Sequence, residues 1–479
     1  MSRRAASAPR AGAAPLAAPG RPLWLTSLAY AALATALICF PAWPGHMSYD
    51  SLYAWSRSIE GIEHMTWPPM HSYLFWLSRR LGLGPGGLFV GQTFLLLFAA
   101  ALAVGLVLRS RILALAAMAG FAAAFVVVPP MLGVAMVQWR DVTVGAFALA
   151  SVALWLLASR QQRPTILAPA ALALGVAVSL RYNAFPLFAL IVPAMVWRPL
   201  LAPGASHRLR AFTALLLILA VGLAWASTQW RLPDFKRLPH SSTLAQIQMF
   251  DLLGVSACED RNFLPSAVTA GWAITPDQIR KAYDPRHVQR AHRPVSDPPP
   301  ILPTDGGGTV QAAWREVIPR HLGCYLDHRR MVMVEQLGLA ERGVFYPTHP
   351  GIDPNPYGLE LARPALSAKV TAYVERNAPA LWRRPALLYA LALAVCALLA
   401  LRRDPRTALV AAITGGAFAN IALLFLIGPA ADARYVFPSN VFCAFIIAAG
   451  AAMLVEGPRS RTADAPRTGR RPRNGGRRR

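Results

Sequence analysis

Residues 165–197, TILAPAALALGVAVSLRYNAFPLFALIVPAMVW, decide the fold. They are apolar throughout except for Arg181-Tyr182-Asn183 near the middle, so they form either one long kinked helix or two short spans. Read as one helix, they throw the nine arginines beyond Glu456 outside the cell, together with Arg198, Arg208 and Arg210. Read as two, they put every short Arg-rich loop inside, where insertion places such loops. An Arg at the bilayer centre also costs at least ~2.5 kcal/mol. Two short spans are therefore expected, with Arg181 at the outer boundary, and short broken spans are where membrane proteins build sites.

The rest of the chain follows from that choice. At 55% hydrophobic and 15% charged residues, with a mean hydropathy of +0.38, 479 residues are too apolar for a soluble protein and too many for a single anchor. The expected fold is all-α: a polytopic transmembrane helical bundle of about ten spans with a small, mostly helical extracytoplasmic domain. A net charge of +25 would suggest a nucleic-acid partner in a soluble chain. Here the arginines lie between and beyond apolar runs, so the implied partner is the membrane and nucleic acid is not expected. The first apolar run reads as a retained signal anchor with a cytoplasmic N-terminus, because Arg3, Arg4, Arg10 and Arg21 precede it and no clear small-residue cleavage site follows.

In order, the chain divides into a basic tail (1–22), a transmembrane core with seven spans (23–227) whose first outer loop is 44–85, an outer helical domain (228–384), three further spans (385–456) and an Arg-rich tail (457–479). Residues 70–81 are too short to cross and carry Arg79 and Arg80, which suits an interfacial helix. Pro129-Pro130 is expected to end the third span. In the outer domain, Thr275-Pro276-Asp277-Gln278 signals a capped helix start, and residues 242–255 and 314–337 carry apolar residues at helical spacing. The five cysteines show no metal-site spacing. Cys258 and Cys324 alone fall in the outer segment, where they either pair or pack as small apolar residues; spacing leaves both open.

Four boundary sites share the outer face under this topology: Asp50, the Arg140-Asp141 pair, Arg181 with Asn183, and Asp432 with Arg434 and Tyr435. Asp50 stands in GHMSYDSLYAWSRSIEGIEHMTWPPMHSY (residues 45–73), just past the first span. Locally it reads first as the N-cap of a helix starting at Ser51, and second as a general base at the water–lipid boundary. Arg suits a phosphate because its planar fork gives paired, charge-assisted hydrogen bonds and stays charged at any relevant pH. Three arginines and a free carboxylate at one end of a bundle make an anion site; singly, each reads as a snorkelling or paired boundary residue.

These motifs, in this order, resemble the GT-C superfamily of integral membrane glycosyltransferases, in particular bacterial members that use a polyprenyl-phosphate sugar. The resemblance rests on Ser48-Tyr49-Asp50-Ser51 followed by Trp67-Pro68-Pro69, on Arg140-Asp141, on Arg181-Tyr182-Asn183, and on Asp432 to Tyr435 with Pro438 after it. Residues 318–337 look like the membrane-leaning helix such proteins carry before their last spans. The resemblance implies that Asp50 is the catalytic base, that Arg140, Arg181, Arg434 and Tyr435 hold the donor phosphate, and that Asp141, Asn183, Trp67, His71 and Asp432 contact sugar or acceptor. It implies a polyprenyl-phosphate-linked sugar and a lipid or glycan acceptor as partners, no cofactor, and a place in the inner (plasma) membrane with the active face extracytoplasmic. Where the family commonly has His before the Pro-Pro pair, this chain has Trp67, with His64 and His71 nearby. The Asp-x-Asp of metal-dependent members does not occur, so no metal is expected. The rival from another class is a transporter or flippase for an anionic lipid or lipid-linked sugar, which needs the arginines but no base.

Overall fold

The computed structural model describes residues 21–64, 68–161, 163–188, 190–192, 211, 214–220, 222, 236–238, 243–266, 274–287 and 307–457. Both tails fall almost wholly outside them, and the seventh expected span, residues 211–227, is described at 211, 214–220 and 222. The protein is a polytopic helical membrane protein. Its long apolar helices are α1 (Arg21–Ala42), α4 (Gly84–Val107), α7 (Arg140–Gln161), α15 (Thr407–Ile427) and α16 (Phe437–Glu456), with α5 (Arg111–Val127), α8 (Leu167–Leu180) and α14 (Pro385–Leu401) shorter. Leu33, Leu37, Ile112 and Leu401 are exposed on these helices. In water such a surface would promote association; in a bilayer it is the lipid contact.

Helices α1, α4, α7 and α8 pack in that order, each against the next, and α16 packs on α5, α7, α14 and α15. A core of small side chains permits the close approach: Ala100, Ala103, Ala146 and Ala153 are all buried between α4 and α7 and their neighbours. The expected break at Arg181 is present. Helix α8 ends there with Arg181 extended (φ −150°, ψ 122°), and a short 3-10 turn, Tyr182–Phe188, follows against α15. Gly416 makes that approach possible, since a Cβ there would run into the Leu187 carbonyl.

Two local expectations need correction. Pro129-Pro130 does not simply stop a helix; it fills the first turn of α6 (Pro129–Ala135), which leaves α5 at 90°. Proline is tolerated there because the first turn has no intrahelical acceptor for its missing N–H. The helix expected at 314–337 is two, α11 (Gly308–Arg320) and α12 (Leu322–Gln336), broken at His321 just after Pro319. Among the described residues one strand pair interrupts the helical pattern, β1 (Ile62–His64) parallel to β2 (Lys236–Leu238).

The polar segment between the last two groups of spans forms its own helical unit. Helix α9 (Thr243–Cys258), α10 (Pro276–Ala282), α11 and α12 bury Phe250, Leu253, Ile279, Val310 and Val332 together. Helix α10 opens with the expected capping box, Thr275 Oγ1 accepting from the Gln278 amide at 3.3 Å and Gln278 Oε1 from the Thr275 amide at 2.9 Å. Cys258 and Cys324 form a disulfide with Cα atoms 5.8 Å apart, tying α9 to α12. Arg329 joins the unit to the bundle: it pairs with buried Asp251 at 2.5 Å and donates to the Gly428 carbonyl at 2.7 Å, just past α15. Helix α13 (Pro364–Asn377) then leads back into α14.

Charges collect at the two ends of the bundle. At one, Glu456 accepts from the Arg109 and Ser110 amides at 2.6 and 2.9 Å and pairs with Arg406 at 2.6 Å. The other end holds the boundary residues singled out above.

Candidate active site

The site begins with an extended strip. The His46 amide donates to the Met136 carbonyl and the Gln138 amide to the His46 carbonyl, both at 2.9 Å, while Met47 exchanges backbone bonds with Gly351 and Asp353 on its other side. Clamped on both edges, residues 46–48 deliver α2 (Tyr49–Glu60) to the start of α7. Ser51 Oγ reinforces the placement by donating to the Gln138 carbonyl at 2.9 Å. Buried Leu52, Ala54 and Trp55 face inward, Trp55 edge-on to Phe75 of α3 (Met70–Arg80) at 5.6 Å.

Asp50 is not the N-cap. The helix starts two residues earlier than expected, at Tyr49, and Ser48 holds the cap position without a side-chain capping bond. Its Oγ instead accepts from the Trp139 indole at 2.8 Å. Asp50, freed from that duty, sits in the first turn and reaches Arg434 at 2.5 Å. Nor is it the free carboxylate expected from sequence.

Arg434 is the hub. It lies in the short turn Ala433–Val436 between α15 and α16, pairs with Asp50 through Nη1 and with Asp432 through Nε at 3.1 Å, and donates to the Tyr435 hydroxyl at 3.3 Å. Its guanidinium lies 5.1 Å from the ring centres of both Trp139 and Tyr435. Arg181 stacks on Tyr435 from another side, 4.5 Å from the ring centre, and pairs with buried Asp141 at 2.8 Å. So Asp141 turns to Arg181 across two helices as well as neighbouring Arg140 in sequence. Arg140 lies in the same group, within the electrostatic reach of Asp50, Arg181, Asp141 and Arg434. Seven predicted residues thus converge: Asp50, Arg140, Asp141, Arg181, Asp432, Arg434 and Tyr435.

Of the other three, His71 lies within the electrostatic reach of Asp50 and Arg140. His71 is buried in the first turn of α3, and its Nε2 finds no hydrogen-bond partner among the described residues. Asn183 is placed by its backbone in the turn after Arg181. Trp67 lies outside the described residues, as does any contact it makes.

Three arginines and three carboxylates meet here, but the carboxylates differ. Burial alone would push Asp50 up; Arg434, Arg140 and Arg181 outweigh it and hold the carboxyl below its usual range. Burial wins at Asp432, which is pushed up toward its neutral form despite Arg434. One arginine therefore serves two carboxylates whose protonation is driven apart, a pattern that separates a base from a neutral partner. Burial, with Arg140 adding to it, lowers His71 to about 3, so it is a neutral imidazole at ordinary pH. Such a cluster can hold an anion, since a phosphate can take the arginine valences now spent on carboxylates.

The sequence reading missed the wall behind Arg434. Trp139 lies 5.8 Å from Tyr346, whose hydroxyl meets His349 Nδ1 at 2.6 Å, and His349 Nε2 lies 3.1 Å from Asp353. Aromatic and His residues among turn formers in FYPTHPGID (345–353) were the available signal. Nothing in spacing ties them to residue 139.

No protein-family model matches this chain, and no curated protein matches it in sequence. Among solved structures it is similar to ArnT from Cupriavidus metallidurans, in the apo state (16% identity, TM-score 0.32) and bound to undecaprenyl phosphate (14% identity, TM-score 0.32). The matches cover 90% of this chain and 77% and 78% of those chains.

Proposed function

We propose that this protein is a membrane glycosyltransferase that moves a sugar from a polyprenyl-phosphate donor to an acceptor hydroxyl on the extracytoplasmic side. The observation that carries the reading is Arg434 bridging Asp50 and Asp432, with Arg181 and Arg140 beside it, at one end of a membrane bundle. The ordered motifs that resemble the GT-C superfamily support the same reading.

In the proposed reaction the acceptor oxygen attacks the anomeric carbon and Asp50 takes its proton. The bond between that carbon and the phosphate oxygen breaks, and the polyprenyl phosphate leaves with the electron pair. Arg140, Arg181 and Arg434 hold the negative charge that grows on it, and Tyr435 steadies two of the three by stacking. The resting ion pair gives this an order. Arg434 keeps Asp50 a weak base until a donor phosphate draws the arginine away; Asp50 then becomes more basic next to the bound substrate. Premature deprotonation of water is thereby disfavoured.

Asp50→Asn and Arg434→Ala test the reading together. Asp50→Asn is expected to lower sugar transfer by ~10²- to 10⁴-fold, the usual worth of general-base catalysis, with donor binding retained. Arg434→Ala is expected to weaken both donor binding and transfer. Lipid movement that survives Asp50→Asn at full rate, with no transfer in the unaltered protein, would instead mark a carrier of anionic lipids.

A further inference from the structure

A second lipid-facing feature lies away from the charged site. Helices α5, α14 and α16 part to leave a cavity of about 470 Å³, within the ~300–1,000 Å³ typical of ligand pockets. Small residues open it: Ala117, Gly120 and Ala124 on α5 face Ala444, Ala448 and Ala451 on α16. A Cβ on Gly120 would meet only the Ala448 methyl, at 3.7 Å. The lining runs from Leu113 and Val455, near the end that holds Glu456, to Val127, Val128 and Trp382 at the end that holds the charged site. It therefore follows the direction of the bilayer along whole helices, and its lining side chains are apolar.

Its upper mouth has a different chemistry. The short turn Leu381–Arg383 leaves Leu381 and Trp382 exposed, 71% and 57%, and is followed by Arg384. Exposed Trp and Leu beside consecutive arginines mark the headgroup level of a membrane. Arg383 lies 4.1 Å from the Trp382 ring centre and donates to Asn377 Oδ1 at 2.6 Å, while its buried Nε has no hydrogen-bond partner among the described residues. Arg384 donates to the Pro379 carbonyl at 3.2 and 3.0 Å, and neither arginine has a carboxylate partner among the described residues, so two adjacent cations at this level lack a counter-anion that a phosphate would supply.

We infer that an anionic membrane phospholipid occupies this cavity, one acyl chain between α5, α14 and α16 and its phosphate at Arg383 and Arg384. An apolar helix from another protein would fill the lower groove but would supply no anion at its mouth. The charge complementarity therefore favours a lipid. The inference stands whether or not the protein transfers sugar.

The test is native mass spectrometry of the full-length protein from phosphatidylglycerol nanodiscs, with phosphatidylcholine and polyprenyl-phosphate nanodiscs as separate arms. One retained phosphatidylglycerol per chain is expected, held more tightly than phosphatidylcholine. Arg383→Gln should lower the phosphatidylglycerol preference about fivefold, the worth of one arginine near an anionic headgroup. Gly120→Leu, which fills the cavity and leaves the mouth intact, should abolish retention of the lipid. Equal retention of phosphatidylcholine, preferred retention of polyprenyl phosphate, a dimer lost on Gly120→Leu, or retention unchanged by both substitutions would each overturn the proposal. Circular dichroism of both variants confirms that each one compared is folded.

Discussion

At the scale of single residues, the proposed function depends on a carboxylate whose partner is also the proposed substrate's partner. In the free protein Asp50 is ionised down to a pH below the usual carboxylate range, because Arg434 heads the cations that oppose its protonation. With donor bound and Arg434 drawn to phosphate, that opposition weakens and the folded pKa rises. The acid limb of kcat/KM, which reports the free enzyme, should therefore lie at lower pH than the acid limb of kcat. Coincident limbs would contradict the exchange of partners. His46 makes the corresponding statement for stability. Buried between the His349 carbonyl and Ser367 Oγ, each at 2.6 Å, it is lowered to about 4, chiefly by burial. The unfolded chain takes up that proton near ~6.5, so stability is retained above this value and falls as pH drops from it toward 4, by roughly 3 kcal/mol in all. Thermal unfolding in detergent at a series of pH values should show the decline, and His46→Gln should flatten it.

At the scale of elements, the sequence showed where chains of apolar residues stop but not which stops meet. Arg181 was legible as a break because an arginine within an apolar run is costly, and the 3-10 turn after it bears this out. Pro129-Pro130 was legible as an end but not as the beginning of α6, since proline's fixed φ serves both purposes. The N-cap expected at Asp50 failed for a longer-range reason: Ser48 could take the cap position because residues 46–48 are already held by 136–138 and 351–353. Those contacts join residues about 90 and about 300 positions apart and leave no local periodicity. The Asp141–Arg181 pair does for α7 and α8 what Arg434 does for the loops. Asp141 is 1% exposed, so Asp141→Asn leaves Arg181 charged and uncompensated. A loss of ~3–5 kcal/mol is expected, seen as a lower unfolding temperature, and an unchanged one would remove the pair from the account.

At the scale of the whole molecule, two charged ends separated by a band of exposed apolar side chains describe a protein that crosses a membrane repeatedly. In the proposed topology, which rests on positive-inside placement, the Arg109, Arg406 and Glu456 end faces the cytoplasm and the Asp50 end faces outside. Reporter fusions after Ser460 and at position 307 should then signal from opposite sides of the membrane. Signals from the same side would break the topology on which an extracytoplasmic reaction depends. The class of fold was readable from composition and from the spacing of apolar runs; the convergence of six boundary residues around Arg434 became visible only in three dimensions. Sugar transfer itself is the most direct test. Purified protein in liposomes, given a radiolabelled polyprenyl-phosphate sugar and a cell-envelope acceptor fraction, should move label from donor to acceptor and release polyprenyl phosphate in equal amount. Label that stays on the donor while it crosses the bilayer, or transfer equally fast without the protein, would contradict the account.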